Sequence, residues 1–208
     1  MYKIATEISH NKEKVKEYYL NVFDKMRPFM ENKQIMGVQV TPEPVIRKYE
    51  QGKPIVITKF DPNDTSDHKN FFYYPDKHYV DFHLIHGHTT DVIPIDIDPN
   101  NVSKTKALQV AKMAKNLIKP IAKDVMIVDS GGRGYHVWAK LPKPMPTRVA
   151  KHLAESKVKP LLKLPYTTDE PPEEGEIRID LSTFHPGGSI RIPYSINFKT
   201  GKPSKIIE

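Results

Sequence analysis

"VIPIDIDPN", residues 92–100, sets two aspartates one residue apart inside an apolar run. In an extended chain residues i and i+2 share a face, so Asp96 and Asp98 point together while Ile95 and Ile97 point into a core. Two carboxylates side by side repel, and one of their pKa values rises unless a cation lies between them. The pair therefore makes most physical sense beside a metal ion or a strong base. Pro99 and Asn100 follow at once, so the carboxylates stand where a strand ends and a site can open. Pro94 has no backbone donor, which suggests an edge position or a bulge rather than an uninterrupted central strand. Alone, such a pair is a weak signal, because carboxylates near strand ends are often solvated or paired with lysine.

Outward from this strand the chain reads as short strands alternating with helices. Upstream, "YVDFHLIHGH" (79–88) is a further strand, and residues 38–60 alternate β-branched and polar types around "QGKP" (51–54), a hairpin pattern. Residues 12–33 bring Val15, Tyr18, Tyr19, Val22, Phe23 and Met26 to helical spacing, up to a break at Pro28. Downstream, 103–120 is an amphipathic helix with Ala107, Val110, Ala111, Ala114, Leu117 and Ile118 on one face and Ser103 as its N-cap. "DVMIVDS" (124–130) and "YHVWAKLP" (135–142) pair as a hairpin across "GGRG". Residues 147–164 form a second helix, 167–176 an acidic, proline-rich loop, and "IRIDLS" and "SIRIPYS" two closing strands.

The hairpin turn strengthens the metal reading. In "SGGRGYHVW" (130–138) the glycines permit positive φ and close backbone approach, so that turn N–H groups can cradle an anion while Arg133 and His136 add donors on the same side. A plain glycine-rich turn with an exposed arginine and a packed histidine is the rival account. A third segment, 178–205, places Asp180 in alternation with Ile177 and Ile179 as a candidate third carboxylate. Arg191, Lys199 and Thr200 supply donors around a second turn at "KTGKP". Here the rival is a salt bridge from Asp180 to Arg178 or Arg191. Together, the carboxylates and the two basic turns form the minimum set for two-metal nucleotidyl transfer. Trp138 shares the face of His136, either as core packing or as a floor beneath a nucleotide.

Composition narrows the field. The 208 residues are 38% hydrophobic, enough for a real core, and carry a formal charge of +7, which fits a polyanionic partner. With no cysteine, disulfides, thiol nucleophiles, iron–sulfur clusters and Cys-ligated zinc are excluded. His83, His86 and His88 lack a clear fourth ligand and read as polar groups beside a cleft, so no zinc is expected. Lysines 104, 106, 112, 115 and 119 either track a phosphate backbone or form a solvated helix face, the plainer account. No apolar run reaches membrane-spanning length and no signal-peptide core opens the chain, which reads as a cytoplasmic protein.

The order of these motifs, "IPIDIDPN", then "SGGRGYHVW", then "IRIDLS" followed by "SIRIPYSINFKTG", resembles that of the archaeo-eukaryotic primase superfamily, in particular primase small-subunit-like primase-polymerases. The resemblance is specific over residues 90–204 and loose over the first 80. It implies an α/β (α+β) fold with a mixed β-sheet flanked by helices, and a single catalytic domain over 1–208 whose motif-bearing core is 81–208. It further implies that Asp96, Asp98 and Asp180 are catalytic and bind two divalent ions, Mg²⁺ or Mn²⁺. Ser130, Gly131, Arg133, His136, Arg191, Ser195 and Lys199 would bind the incoming NTP or dNTP. Asn197 stands where many members have histidine, and no Cys-rich module is present. The implied activity is primer synthesis on a single-stranded DNA template, with a primase large subunit or a helicase as further partners. The alternatives are the gap-filling polymerase of end-joining ligases, whose motif "SGGRGYHVW" also resembles, and a nucleotide- or nucleic-acid-binding module that has lost the chemistry.

Overall fold

The computed structural model describes residues 29, 37–42, 55–57, 78–83, 88–161, 174–184, 190–191, 193, 196–197, 200 and 202–208. The helix expected over 12–33, except Phe29, most of the acidic loop, His86, Ser195 and Lys199 lie outside the described residues. In chain order the elements are β1 (Gly37–Pro42), β2 (Ile55–Ile57), β3 (His78–His83), β4 (Thr89–Pro99), α1 (Lys104–Ile118), β5 (Asp124–Asp129), β6 (Tyr135–Pro146), α2 (Thr147–Val158), β7 (Ile177–Asp180), β8 (Ile190–Arg191), β9 (Ile196–Asn197), β10 (Lys202–Pro203) and β11 (Lys205–Ile206). Five strands form a sheet in the order β11-β5-β6-β4-β7, and a second sheet runs β2-β1-β3-β8. All pairings among the described strands are antiparallel. This is the α+β architecture, with a sheet flanked by helices, that the resemblance implies, though among the described strands the sheet is antiparallel rather than mixed. The hairpin pattern of 38–60 appears as β1 paired with β2.

Strand alternation gives the five-stranded sheet two unlike faces. Ile93, Ile95 and Ile97 of β4, Ile127 of β5, Val137 of β6 and Ile179 of β7 belong to one buried cluster with Ala107, Ala111, Ala114 and Ile118 of α1 and Ala150, Ala154 and Val158 of α2. The helices meet the sheet through alanines, whose small side chains let the backbones approach closely. Val110 and Leu117, expected on the same stripe of α1, are only half-buried at its flanks. Ser103 caps α1 as the sequence predicts, its Oγ accepting from the Lys106 N–H at 3.2 Å.

The other face carries the polar residues. Asp96 lies opposite His136 on β6 and opposite Asp180 on β7, while Asp98 lies opposite Arg178. Directly paired residues share a face, so all five side chains emerge on the side away from the helices. Trp138 is on this face too, fully buried and edge-on to Phe29 at 6.2 Å between ring centroids, which makes it core packing. Pro94 pairs with Trp138 on β6, whereas β7 reaches β4 only from Asp96 onward. At Pro94 the strand thus has a ladder neighbour on one side among the described strands, where a missing donor is tolerated. A register shift lies between Thr90 and Val92. There Thr90 Oγ1 both donates to the Val92 carbonyl and accepts from its N–H. Asp91, at that irregularity, is buried in an ion pair with Lys140 at 2.7 Å. Among the described residues no helix is long and apolar enough to cross a membrane.

Candidate active site

The acidic pair stands at the C-terminal end of β4, in the wall of a cavity of about 520 Å³. Ladder pairing brings Asp180 beside Asp96, although the two are far apart in sequence. The carboxyl of Asp96 is pushed up to about 7, first by burial and then by the negative charges of Asp98 and Asp180, with Arg178 and Arg191 opposing. Although 38% of its side-chain surface is open, the cavity walls deprive the carboxyl of much of its hydration. Asp180 is more enclosed, its Oδ1 accepting from the Ser182 N–H at 2.6 Å. Arg178 bridges two of the acids, 3.2 Å from Asp180 Oδ2 and 3.7 Å from Asp98 Oδ2. The salt bridge that rivalled the carboxylate reading is therefore present, and it is made by Arg178. Arg133 approaches Asp98 from the other side at 3.5 Å. Two guanidinium groups thus partly neutralise the acids. Among the described residues no three ligating side chains already converge as a finished metal site. The donor set nonetheless suits a hard divalent cation, being carboxylate oxygen throughout, with Asp96 held against ionisation by burial and by the charges of Asp98 and Asp180.

The turn after β5 packs so tightly that glycine is required. Gly131 has φ +71°, and a Cβ there would lie 2.5 Å from the Lys202 carbonyl oxygen. At Gly134 a Cβ would collide with the carbonyl of Ile97, one residue before Asp98. The turn therefore lies directly against the end of β4, which brings Arg133 to the carboxylates. Its backbone is internally bonded: Gly131 N–H donates to Asp129 at 2.9 Å and Gly132 N–H to Ser130 Oγ at 3.2 Å. Ser130 Oγ in turn donates to the Gly134 carbonyl at 2.8 Å. His136 is buried, and its pKa is pushed down to about 3 by burial and then by Arg191, with Asp129 opposing, so the imidazole is neutral. Its Nε2 lies 3.7 Å from Asp96 Oδ1, and its buried Nδ1 has no hydrogen-bond partner among the described residues.

The chain's C-terminal segment completes the cavity. Arg191 donates to the Ser130 carbonyl at 3.4 Å, Asn197 to the same carbonyl at 3.3 Å, and Thr200 to the Gly131 carbonyl. The side chain of Asn197, where the family pattern has histidine, is spent at least in part on holding the glycine turn. Of the residues singled out from the sequence, Asp96, Asp98, Ser130, Arg133, His136, Arg191, Asn197 and Thr200 line the cavity, while Gly131 and Asp180 do not. Thr183 and Ile190 also line it and were not foreseen. Arg178 was considered only as a rival partner for Asp180. Its position two residues before Asp180 on a strand is the period-2 signal that marks it as a neighbour of the acids.

Helices stacked behind an antiparallel sheet, with the acidic pair and glycine turn on its other face, give the class: a domain of the archaeo-eukaryotic primase superfamily. Residues 11–203 match the family model described as LigD, primase-polymerase domain, and the chain belongs to that family. Among solved structures, the polymerase domain of Mycobacterium tuberculosis ligase D in complex with DNA is similar with a TM-score of 0.67 and 15% identity, over 95% of this chain and 80% of that one. The primase-polymerase domain of cyanophage S-2L gives 0.59 and 11%, over 90% and 88% of the two chains. The primase RepB′ gives 0.57 and 10%, over 91% and 56%. At such identities the likeness is one of fold. No curated protein matches the sequence.

Proposed function

We propose that the chain is a template-directed nucleotidyltransferase that joins an NTP or dNTP to a 3′-hydroxyl. The observation that supports it best is the placing of Asp180 directly across the ladder from Asp96, which shares a cavity with Asp98, Arg133, His136 and Arg191. Asp96, Asp98 and Asp180 would hold two Mg²⁺ or Mn²⁺ ions, displacing Arg133 from Asp98. Bound there, the ions supply Lewis acidity to the attacking hydroxyl and to the phosphoryl oxygens. The chain's own residues do the rest. Arg133, 63% exposed on its turn, is free to swing onto a triphosphate, and Arg191 faces it from β8. By the family resemblance Lys199 and Ser195 would join the same nucleotide site. His136, being neutral, contributes a hydrogen bond rather than a charge. The 3′-hydroxyl gives up its proton to water as its oxygen attacks the α-phosphorus, the bond to the bridging oxygen breaks, and pyrophosphate leaves toward Arg133 and Arg191.

Two readings share this chemistry. The segment "IRIPYSINFKTG" favours starting chains on single-stranded DNA, as a primase does. Matching of residues 11–203 to the ligase D family favours extending ends and filling gaps. Incubation with labelled nucleotides and Mg²⁺ or Mn²⁺ on an unprimed single strand, beside a primed template, separates them. Products without primer select priming, and products only on the primer select extension. Incorporation on neither template would overturn the proposal in favour of a binding module without chemistry. Asp98→Asn should abolish incorporation while leaving the fold intact, and near-normal incorporation by that variant would refute the metal assignment.

A further inference from the structure

The glycine turn is also gripped from the side opposite the carboxylates. Val125, Ile127 and Asp129 alternate along β5 toward the helices, so Asp129, the last residue of the strand, emerges behind the turn. Lys104, the first residue of α1, reaches over it. The Lys104 Nζ lies 2.8 Å from both Asp129 carboxylate oxygens and donates to the Gly132 carbonyl at 3.1 Å. It also sits 5.5 Å over the Tyr135 ring. Asp129 accepts from the Gly131 N–H at 2.9 Å. One pair of side chains thus holds an N–H of one glycine and the carbonyl of the next, and neither side chain lines the cavity.

We propose that Lys104 and Asp129 are positioning residues for triphosphate binding, acting together as a rear clamp on Gly131 and Gly132 so that Arg133 is presented to the cavity. The inference rests on the reading of the turn as a nucleotide site. Glycines are conformationally permissive, and a turn that contains them samples many geometries unless its backbone groups are held. Arg191, Asn197 and Thr200 restrain the turn's carbonyls from the cavity side, and the Lys104–Asp129 pair restrains it from behind. An ordinary surface ion pair would matter little, since exposed pairs contribute next to nothing. This pair differs because both members also bond the backbone that carries Arg133. Ordering a binding group in advance improves affinity by lowering the cost of fixing it on binding.

The test is titration of the full chain with a fluorescent, non-hydrolysable nucleoside triphosphate and Mg²⁺, with incorporation kinetics and melting curves alongside. Lys104→Met and Asp129→Ala should each weaken triphosphate binding roughly three- to tenfold and raise KM, with kcat changed by no more than about twofold. The double variant should be no worse than the weaker single one, because the pair acts as a unit. Lys104→Arg should restore most of the loss. Lys104 is 43% exposed, so its replacement leaves the core untouched even if Asp129→Ala folds poorly. Unchanged affinity in Lys104→Met, additive losses in the double variant, or a fall in kcat that follows the melting temperature would each overturn the clamp. Arg133→Ala serves as the control. If it weakens binding and Lys104→Met does not, the clamp alone fails. If the wild-type chain binds no triphosphate, the nucleotide site fails and the clamp with it.

Discussion

Asp96 shows how a single residue records its surroundings. In the unfolded chain its carboxyl ionises near the ordinary 3.8, while in the fold burial and the neighbouring acids hold it near 7. As the pH climbs between those values the unfolded chain gives up its proton and the folded chain keeps it, so stability falls, and above 7 the penalty is constant. Asp96→Asn removes that penalty. In metal-free protein the variant should therefore be more stable than wild type at pH 8, with the gap in urea midpoint narrowing by pH 5. His136 runs the opposite way, since its pKa is lowered to about 3 and the fold loses stability as the pH drops below 6.5. Both proteins retain His136, so the comparison isolates Asp96. A gap independent of pH would mean that Asp96 titrates normally. The i, i+2 placing of Asp96 and Asp98 already implied like charges in need of a cation. That Arg178 and Arg133 lean on them is a matter of which strands pair.

At the scale of elements, local pattern and structure agree closely. The alanine stripe of α1, its Ser103 cap and the β5–β6 hairpin around the glycines follow from short-range chemistry, because 3.6-residue and 2-residue periodicities and cap hydrogen bonds involve neighbours in sequence. The demand on Gly134 does not. It arises from the backbone of β4 at Ile97, and hence from the close pairing of β4 with β6 beside the acids. Gly134→Ala should cost about 1–3 kcal/mol or more, since the new methyl meets backbone that cannot turn aside. Urea unfolding measures this directly. A wild-type midpoint would show that the strand end yields easily, and incorporation by the variant would then report whether Asp98 had moved.

For the molecule as a whole, charge and partner come together. The formal charge is +7, yet Lys104 is paired with Asp129, and Lys112 and Lys115 with Glu208, so much of the basic face of α1 is answered within the chain. Positive charge left for a template is modest and spread over several elements. Single-stranded DNA should bind weakly and with little sequence preference, through about three to five phosphate contacts. The slope of log affinity against log salt should then be around −2 to −4, as each neutralised phosphate on a single strand contributes roughly −0.7. Binding to mixed-sequence and homopolymer strands over a range of salt tests it. A flat response or a strong preference for one sequence would rule out a nonspecific groove.

What the sequence by itself determined is local: the strand with its two acids on one face, the glycine turn, the helices with their apolar stripes, and the motif order shared with primase-polymerases. All but the motif order depend on residues a few positions apart, where backbone geometry leaves few choices. Only the tertiary structure decided that Asp180 sits across from Asp96, and that β8 joins β3 in the second sheet and carries Arg191 to the cavity. The same holds for the side chains of Arg191 and Thr200, which hold turn carbonyls 61 and 69 positions away. No short-range pattern encodes such pairings, because they are selected by the burial and hydrogen bonding of the whole sheet, and that sum is settled only when the distant strands meet.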